Sequence, residues 1–433
     1  MSQYTTLTTA DGDLDPQFGL EGRVSVLIPG AKSTIAQCIV AGPDDNLYVT
    51  ASIEPSNNIR EFTPAVVCLH KNGAINEAFG NKGIVIQRFT PQLGVRMQQI
   101  HFLEDGTETK ILLCAVDNTN DINVLIRLHI NGRLDETFGE NGLLKVILPA
   151  PLSDSPEQMP TSQASSDIGA SGISTVANGK IYLGKHVYMA GLIADIGIIT
   201  RLNADGSLDL SFNKTGYVAV AHGYWANTTI NDIFVQNGKI TVCGSLYKRD
   251  TSQHYGMLAR LNDDGTLDQT FAENGFALVP EATFDRLTQY AEDSILAAGS
   301  TLSPAQGVLA CFTKEGQLDP KFNGGKILYQ SDTERGAIGF HDVGIVQEKI
   351  IVAGKLIPNA GLHSLMVARY QNDGTLDPGF GNGKGLVYVP QDTSFGFSTK
   401  MALQKDGNVL LIRDTVAIQD RTLIARVLNT NQE

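Results

Sequence analysis

The sequence lacks the features that identify several large classes of protein. No run of Lys and Arg occurs in its 433 residues, and the formal net charge is −13. Because binding to a phosphate backbone depends on clustered basic side chains, we expect no nucleic-acid partner. No apolar stretch approaches the ~18 residues that a membrane span needs, and residues 1–15 lack the pattern of a secretory signal. The expected compartment is the cytoplasm, and export by a route without a cleavable signal stays open.

Cysteine is scarce and shows no pairing pattern. The five cysteines all lie in apolar, strand-like runs, without close Cys or His pairs at metal-ligand spacing: Cys38, Cys68, Cys114, Cys243 and Cys311. We expect buried, reduced thiols, no metal and no cofactor. A nucleophile elbow, a phosphate-binding loop and a zinc-binding helix are also absent. No motif therefore assigns a catalytic residue.

One phrase, Gly-x-Leu-Asp-x-x-Phe, recurs along the whole chain. Its copies occupy residues 12–18, 73–79, 132–138, 206–212, 265–271, 316–322 and 374–380. A period of roughly 50 to 60 residues, in units that carry several short apolar runs and turn residues, is typical of a propeller of four-stranded blades. The spacing leaves no interval for a second domain, so residues 1–433 are interpreted as one propeller.

The two ends of the chain predict how the ring closes. The first phrase lacks a convincing strand before it, and the run at residues 423–428 has no phrase after it. If the strand at residues 24–28 is the outer strand of the blade built by residues 398–428, the ring closes. The predicted fold is therefore all-β: a seven-bladed β-propeller of four-stranded antiparallel blades, closed by pairing the N-terminal strand with the C-terminal blade.

The phrase and its surroundings resemble the bacterial delta-60 repeat family. The resemblance rests on the seven copies of Gly-x-Leu-Asp-x-x-Phe-Gly-x-x-Gly and covers residues 11–428. Departures are Ile75-Asn76 in the second copy, and Asn213, Ala272 and Asn323 in place of the Gly after Phe. The resemblance implies a β-propeller and no known activity.

The recurrent Asp of the phrase invites a calcium interpretation. Aligned with an EF-hand loop, however, the first ligand position falls on Arg201 and the closing position on Phe212, so the ligand set is incomplete. An Arg recurs before most copies of the turn, which predicts a repeated Arg–Asp pair instead. By this pattern Arg426 meets Asp15 across the ring closure.

Variable connections are expected to gather on one face of the disc. They follow the outer strand, at residues 90–98, 221–231, 280–286, 330–341 and 390–397, or separate two strands within a blade, as at residues 54–64 and 247–255. Since strands alternate direction, both sets emerge on the same side. The largest insertion, residues 149–171, belongs to this set and has the composition of a mobile loop.

Candidate ligand-binding residues lie in these connections: Arg96, His222, Tyr224, Trp225, Arg286, His341 and Phe395. Aromatic side chains beside polar ones suit a protein or glycan ligand, although a lone Trp is also a common packing residue. We interpret the chain as a non-catalytic recognition module. The alternatives are a hydrolase or lyase in the central funnel, with the candidates Asp285, Arg286, His341 and Asp342, and a structural component of a bacterial assembly. The pattern gives no indication of oligomeric state.

Overall fold

The computed structural model describes residues 9–54, 62–87, 95–106, 108–117, 122–148, 173–189, 194–223, 226–359, 363–390, 399–413 and 422–429. The insertion at residues 149–171 and three candidate residues, Tyr224, Trp225 and Phe395, lie outside these ranges.

In these ranges the chain forms seven antiparallel sheets, each a blade, and its one helical turn is the 3-10 turn Asn323–Gly325. Blade 7 takes its outer strand from the N-terminus, β1 (Arg23–Val26). Blade 1 holds β2 (Ser33–Ala41), β3 (Leu47–Glu54), β4 (Thr63–Leu69) and β5 (Ile84–Ile86). Blade 2 holds β6 (Val95–Asp105), β7 (Glu108–Asp117), β8 (Ile122–His129) and β9 (Leu143–Val146). Blade 3 holds β10 (Ile173–Ala177), β11 (Lys180–Met189), β12 (Ala194–Asn203) and β13 (Tyr217–Val220).

The remaining blades follow the same order from the axis outward. Blade 4 holds β14 (Ala226–Thr228) and β15 (Asp232–Gln236), which share one inner position, then β16 (Lys239–Lys248), β17 (Gln253–Asn262) and β18 (Phe276–Pro280). Blade 5 holds β19 (Ala282–Tyr290), β20 (Ser294–Thr301), β21 (Gly307–Phe312) and β22 (Leu328–Gln330). Blade 6 holds β23 (Gly336–Val346), β24 (Lys349–Pro358), β25 (Ser364–Tyr370) and β26 (Leu386–Pro390). Blade 7 is completed by β27 (Thr399–Leu403), β28 (Val409–Arg413) and β29 (Thr422–Val427).

The predicted ring closure is confirmed. Strand β1 pairs antiparallel with β29, with Arg23 opposite Ala425 and Val26 opposite Thr422. The N-terminal strand thus occupies the outer edge of the last blade, and covers an edge of β29 that would otherwise be exposed.

The hydrophobic core lies between blades. Tyr48 and Phe79 of blade 1 pack with Met97 and Ile111 of blade 2, for example. The five cysteines are free, and four of them are buried while Cys38 is partly buried. Each blade therefore contributes two apolar faces to the core, and successive blades are held together mainly by burial of these faces.

The repeated phrase connects each blade to the next. We call the phrase, together with the Arg that precedes it in most copies, the latch. Its Phe is buried in all seven copies, and its Gly has φ between +79° and +99°. A Cβ on Gly206 would lie 3.1 Å from the ring of Phe138 in the preceding blade. The Gly therefore provides a left-handed turn and also leaves room for the neighbouring Phe.

The predicted Arg–Asp pair is part of the same latch. Nε of Arg201 lies 2.8 Å from Oδ2 of Asp209 within the blade, and Nη1 of Arg201 donates to the carbonyl oxygen of Asp263 in the next blade's turn. The guanidinium also covers the ring of Phe212, 4.7 Å from its centroid. One copy has Cys311 where the others have the Arg, and there Asp319 accepts a hydrogen bond from Ser294 Oγ at 2.6 Å.

Several connections are shorter than the sequence predicted, and in three of them a candidate residue lies on the strand. Strands β6, β19 and β23 begin at Val95, Ala282 and Gly336, inside the segments assigned to loops. Arg96, Arg286 and His341 therefore lie on inner strands. In the sequence, these three polar residues were interpreted as parts of loops. In the structure they lie on the strands that border the central channel.

Candidate functional site: the polar ring of the central channel

The inner strands carry polar residues at one-residue bulges. The pairing register of the inner strand shifts by one residue in four blades, and each shift skips one residue: Gln37, Gln98, Asp285 and His341. In blade 4 the inner strand is interrupted before Asp232, and Asn231 occupies the corresponding place. A bulge turns a side chain away from its regular direction. We call these five residues the bulge ring.

Consecutive members of the bulge ring are hydrogen-bonded across blades 4 to 6. Asn231 Nδ2 donates to the carbonyl oxygen of Phe284 at 2.9 Å and lies 3.3 Å from Asp285 Oδ1. Asp285 Oδ2 lies 3.0 Å from His341 Nδ1. Because an ionised carboxylate only accepts, Nδ1 of His341 is the donor in this contact, and Nε2 is an acceptor whenever the imidazole is neutral. Nε2 is buried and has no hydrogen-bond partner in the described part of the chain.

Arg286, one residue after its bulge, is held between two carboxylates from neighbouring blades. Its Nη1 lies 3.2 Å from Asp232 Oδ1, and its Nε lies 3.2 Å from Asp342 Oδ1. These carboxylates raise the pKa of Arg286 above its ordinary value, against the effect of burial. Its charge also reaches across the ring, since burial and then Arg286 lower the pKa of His101 in blade 2 to about 4. Arg286 thus lies on an inner strand between two carboxylates, and 29% of its side chain stays exposed.

The same carboxylates hold adjacent inner strands together. Asp232 Oδ2 accepts from the backbone N–H of Leu287, and Asp342 Oδ2 accepts from that of Met401, both at 2.9 Å. Burial raises the pKa of Asp232, with Arg286 opposing this effect. Both aspartates are thus fixed in position, and Arg286 is fixed by them.

Gly339 and Ser300 adjoin the Asp285–His341 pair. A Cβ placed on Gly339 would lie 3.1 Å from Ser300 Oγ, 3.6 Å from His341 Nε2 and 3.9 Å from His341 Cε1. A side chain at residue 339 would therefore crowd the Ser300 hydroxyl, which explains why a Gly is present there. Gly339 precedes the bulge on β23, and Ser300 lies near the end of β20, so both residues are on the variable-face side of the bulge ring.

The structure brings together only part of the predicted ligand set. Arg286 and His341 meet at the channel, and the alternative catalytic candidates Asp285 and Asp342 lie beside them. Arg96 lies on inner strand β6, with a partly exposed side chain. His222 does not join them, because its ring packs edge-on against Phe276 on an outer strand, with ring centroids 4.8 Å apart. Burial lowers the pKa of His222.

Several residues of the site were missed by sequence reasoning: Gln37, Asp232, Ser300, Gly339 and Lys400. A signal for some of them was present in the repeats. When the inner strands are aligned by pairing, the residue at the position that follows the bulge is polar or charged in most blades, although it lies within a strand: Cys38, Gln99, Ile173, Asp232, Arg286, Asp342 and Lys400. Ser300 and Gly339 gave no signal, because their importance depends on contact between two blades.

Two clefts on the opposite face are less suited to be the site. One, of about 630 Å³, is lined by Asp44, His129 and Arg133. The other, of about 620 Å³, lies at the ring closure and includes Asp15 and Arg426. Both lie among the regular turns, and the second is lined by a latch pair that already has its partners.

Solved structures with this architecture have diverse roles. Polysaccharide lyase Uly1 is 10% identical with a TM-score of 0.50, and the alignment covers 97% of this chain and 97% of that chain. The extracellular domains 1-2 of Drosophila Semaphorin 1a are 10% identical with a TM-score of 0.49, over 93% of this chain and 88% of that chain. At this identity the likeness shows the fold alone.

Comparison by sequence finds a family model but no curated relative. No curated protein is significantly similar to this chain in sequence. In the described part of the chain, no helix has the length and apolar character needed to cross a membrane. Residues 197–212, 236–271 and 349–380 match the family described as "Domain of unknown function (DUF5122) beta-propeller", which supports a β-propeller family of unknown function.

Proposed function

We propose that this propeller is a non-catalytic recognition module that binds a protein or glycan ligand at the variable face, where the central channel opens. The observation that carries the proposal is the fixed position of Arg286 between Asp232 and Asp342. Its Nε and Nη1 have partners, whereas Nη2 has none among the described residues, and part of the side chain is exposed. A donor held rigidly in this way loses little conformational entropy when a ligand binds.

The charges around Arg286 favour binding over chemistry. Asp232 and Asp342 each accept a backbone hydrogen bond and an ion pair, so neither is free to act as a general base. Both carboxylates also reduce the net attraction of Arg286 for an anion. The arrangement therefore supports recognition of a polar ligand that needs orientation and not activation.

A binding screen with matched variants tests this proposal. Labelled protein would be applied to glycan and peptide arrays, and the affinity of each hit would be measured for wild type and three variants. Arg286→Lys and Arg335→Ala change the channel and the exposed connection before β23, and Arg133→Ala changes the opposite face. We expect at least one variable-face variant to weaken binding and Arg133→Ala to have no effect. The absence of any hit, or loss of binding only in Arg133→Ala, would contradict the proposal.

The Asp285–His341 contact favours a second candidate, a hydrolase or lyase in the central funnel. A carboxylate bonded to Nδ1 orients an imidazole for general-base catalysis through Nε2. Turnover of a substrate that is lost in His341→Gln and retained in Arg133→Ala would establish this candidate in place of the recognition module.

A further inference from the structure

The larger cleft on the face opposite the variable connections has room for a small ligand. Its volume is about 630 Å³, which is within the range of small-molecule sites. Blade 1 contributes Pro43 and Asp44, from the turn between β2 and β3. Blade 2 contributes Glu108 from the start of β7, and His129 and Arg133 from the turn after β8. We call this space the blade 1–2 cleft.

The turn of blade 2 that lines the blade 1–2 cleft departs from the repeat. At the position after the Gly of the phrase, Arg133 is the only basic residue among the seven copies. Two residues before that Gly, Ile130 is the only large apolar residue among the copies, and 36% of it is exposed. Because the other blades form the same turn without these side chains, the fold does not explain them.

His129 makes one contact that is common to several blades. Its Nδ1 lies 2.9 Å from Nζ of Lys110, just as Oδ1 of Asn203 accepts from Nζ of Lys180 at 2.7 Å in blade 3. An ammonium group only donates, so Nδ1 of His129 accepts and the imidazole carries its proton on Nε2. Compared with Asn203, His129 therefore adds an N–H donor at Nε2.

The Nε2 donor of His129 faces a second donor. It lies 3.3 Å from Nη2 of Arg133, and a guanidinium also only donates, so the two groups cannot satisfy each other. In blade 3 the equivalent side chains do pair, since Nδ2 of Asn203 donates to Oγ of Ser207 at 2.9 Å. An anionic oxygen in the blade 1–2 cleft could accept from both His129 and Arg133, as a carboxylate does in charge-assisted hydrogen bonds.

The charges that line the cleft favour a ligand with both signs of charge. Glu108 is compensated by Lys110, with 2.7 Å between Oε2 and Nζ. Among the described residues, neither Arg133 nor Asp44 has an ion-pair partner, although Asp44 Oδ2 accepts from the hydroxyl of Tyr48 at 3.0 Å. The cleft thus has one uncompensated charge of each sign. A ligand with a carboxylate and an ammonium group complements both, whereas a dianion would be repelled by Asp44.

We propose that the blade 1–2 cleft binds a small zwitterionic amino acid. The carboxylate accepts from His129 Nε2 and Arg133 Nη2, the ammonium group lies towards Asp44, and the carbon chain packs against Ile130 and Pro43. This site goes beyond the recognition function proposed for the variable face, because it lies on the opposite face and takes a different ligand.

Isothermal titration of the full chain with matched compounds tests the ligand class. The probes are leucine, 4-aminobutanoate and 6-aminohexanoate, which place the ammonium group at increasing distances from the carboxylate. Each is compared with its amide, which lacks the carboxylate, and with its deaminated acid, which lacks the ammonium group. We expect at least one zwitterion to bind and its amide to bind at least about tenfold more weakly, since the amide loses the charged acceptor.

Three results of this titration would overturn the proposal. None of the zwitterions binds, or the amide or the deaminated acid binds as tightly as the parent zwitterion, or inorganic phosphate binds more tightly than every zwitterion.

The repeat itself supplies the decisive variants. His129→Asn introduces the residue that blades 3 and 4 have, which can keep the contact with Lys110, so the variant should fold while it lacks the Nε2 donor. Arg133→Ser introduces the residue of blade 3 in the same way. We expect each variant to melt near the wild-type temperature and to bind the zwitterion at least about tenfold more weakly.

The matched control is Lys314→Ser, which removes a positive charge from the exposed part of the equivalent turn in blade 5 and should leave binding unchanged. If His129→Asn lowers the melting temperature sharply, Arg133→Ser decides alone. Unchanged binding in Arg133→Ser, or an equal loss in Lys314→Ser, would show that the cleft is not the site.

Competition separates this inference from the proposed function. A glycan or peptide that binds at the variable face should bind equally well when the blade 1–2 cleft is saturated with zwitterion, and Arg335→Ala should not change binding of the zwitterion. If the arrays give no ligand but a zwitterion binds and is lost in Arg133→Ser, the recognition module fails and this site stands. Mutual exclusion of the two ligands would contradict the placement on opposite faces.

Discussion

Nη2 of Arg426 lies 2.5 Å from Oδ2 of Asp15, and this pair joins strand β29 to the first copy of the repeated phrase, residues 12–18. Arg426 also covers the ring of Phe18 and donates to the carbonyl oxygen of Lys71 in blade 1. Arg127, Arg201 and Arg260 likewise each donate to a backbone carbonyl oxygen of the next blade. The ring is therefore closed by the same latch that builds it.

Removal of residues 1–30 should expose the edge of β29 and cause association of the protein. The deletion removes β1, Asp15 and Phe18 together, so both the strand pairing and the latch are lost. Light scattering after size-exclusion chromatography would detect oligomers, and thermal unfolding would show a lower melting temperature. A monomeric product with unchanged thermal stability would show that the closure contributes little.

The Gly of the phrase should be far less replaceable than a Gly that only provides positive φ in an exposed hairpin turn, such as Gly179. A Cβ on Gly206 would meet Leu144 at 2.6 Å and Phe138 at 3.1 Å, whereas a Cβ on Gly179 would meet nothing within 4 Å. Both residues have positive φ, at 89° and 69°. We expect Gly206→Ala to cost about 3 kcal/mol and Gly179→Ala about 1 kcal/mol in unfolding free energy. If urea unfolding shows the same loss of free energy for both variants, backbone strain alone explains why Gly occupies this position of the phrase.

Ala272 is the latch residue whose replacement should most readily raise the unfolding free energy. It has φ of 44°, at a position where other copies have Gly or Asn. In another copy, Asn213 Nδ2 donates to the carbonyl oxygen of Tyr217 at 2.9 Å. Ala272→Asn should therefore reduce the strain and gain the equivalent hydrogen bond, which raises the unfolding free energy by about 1 kcal/mol. The reverse change, Asn213→Ala, should lower it by a similar amount, and stabilities that move together in one direction would refute this interpretation.

The fold was predictable because the same physical requirement recurs in every blade. Each copy of the phrase needs a Gly for positive φ and a Phe for the contact between blades, so seven copies carry the signal even where one departs from it. Asn213 and Asn323 depart without harm, since Asn adopts positive φ more readily than most residues. The paired ends, β1 and β29, were predictable for a simpler reason: each lacked a partner within its own segment.

The candidate site was predictable only in part, because it depends on differences between the blades. Arg286 and His341 were identified as polar residues near the variable face, but they were assigned to loops. Their pairing with Asp232 and Asp285 is set by inter-blade register, which the sequence of one blade does not contain. Adjacent His341 and Asp342 contact different partners, Asp285 and Arg286.

The latch carboxylates should make the fold sensitive to acid in a defined range. Burial alone would raise the pKa of Asp135, but hydrogen bonds from Thr137 and the charge of Arg127 outweigh it and hold the pKa at about 2, below its ordinary value of 3.8. The pKa values of Asp209, Asp268 and Asp377 are lowered by equivalent contacts. Because the unfolded chain binds these protons first, the stabilisation is complete above about pH 4 and is lost as the pH falls towards 2.

Urea unfolding of wild type and Asp135→Asn between pH 7 and pH 2 would measure this contribution. For a single carboxylate the shift corresponds to about 2 kcal/mol. We expect Asp135→Asn to be less stable than wild type by about that amount at pH 7, because Arg127 and Lys110 lose their shared partner. The difference should shrink as the pH falls below 4, since wild-type Asp135 then becomes neutral as well. Glu136→Gln, a change at the exposed neighbouring residue, serves as the control and should follow wild type throughout. A gap between wild type and Asp135→Asn that stays constant down to pH 2 would show that the carboxylate stabilises the latch by its shape and not by its charge.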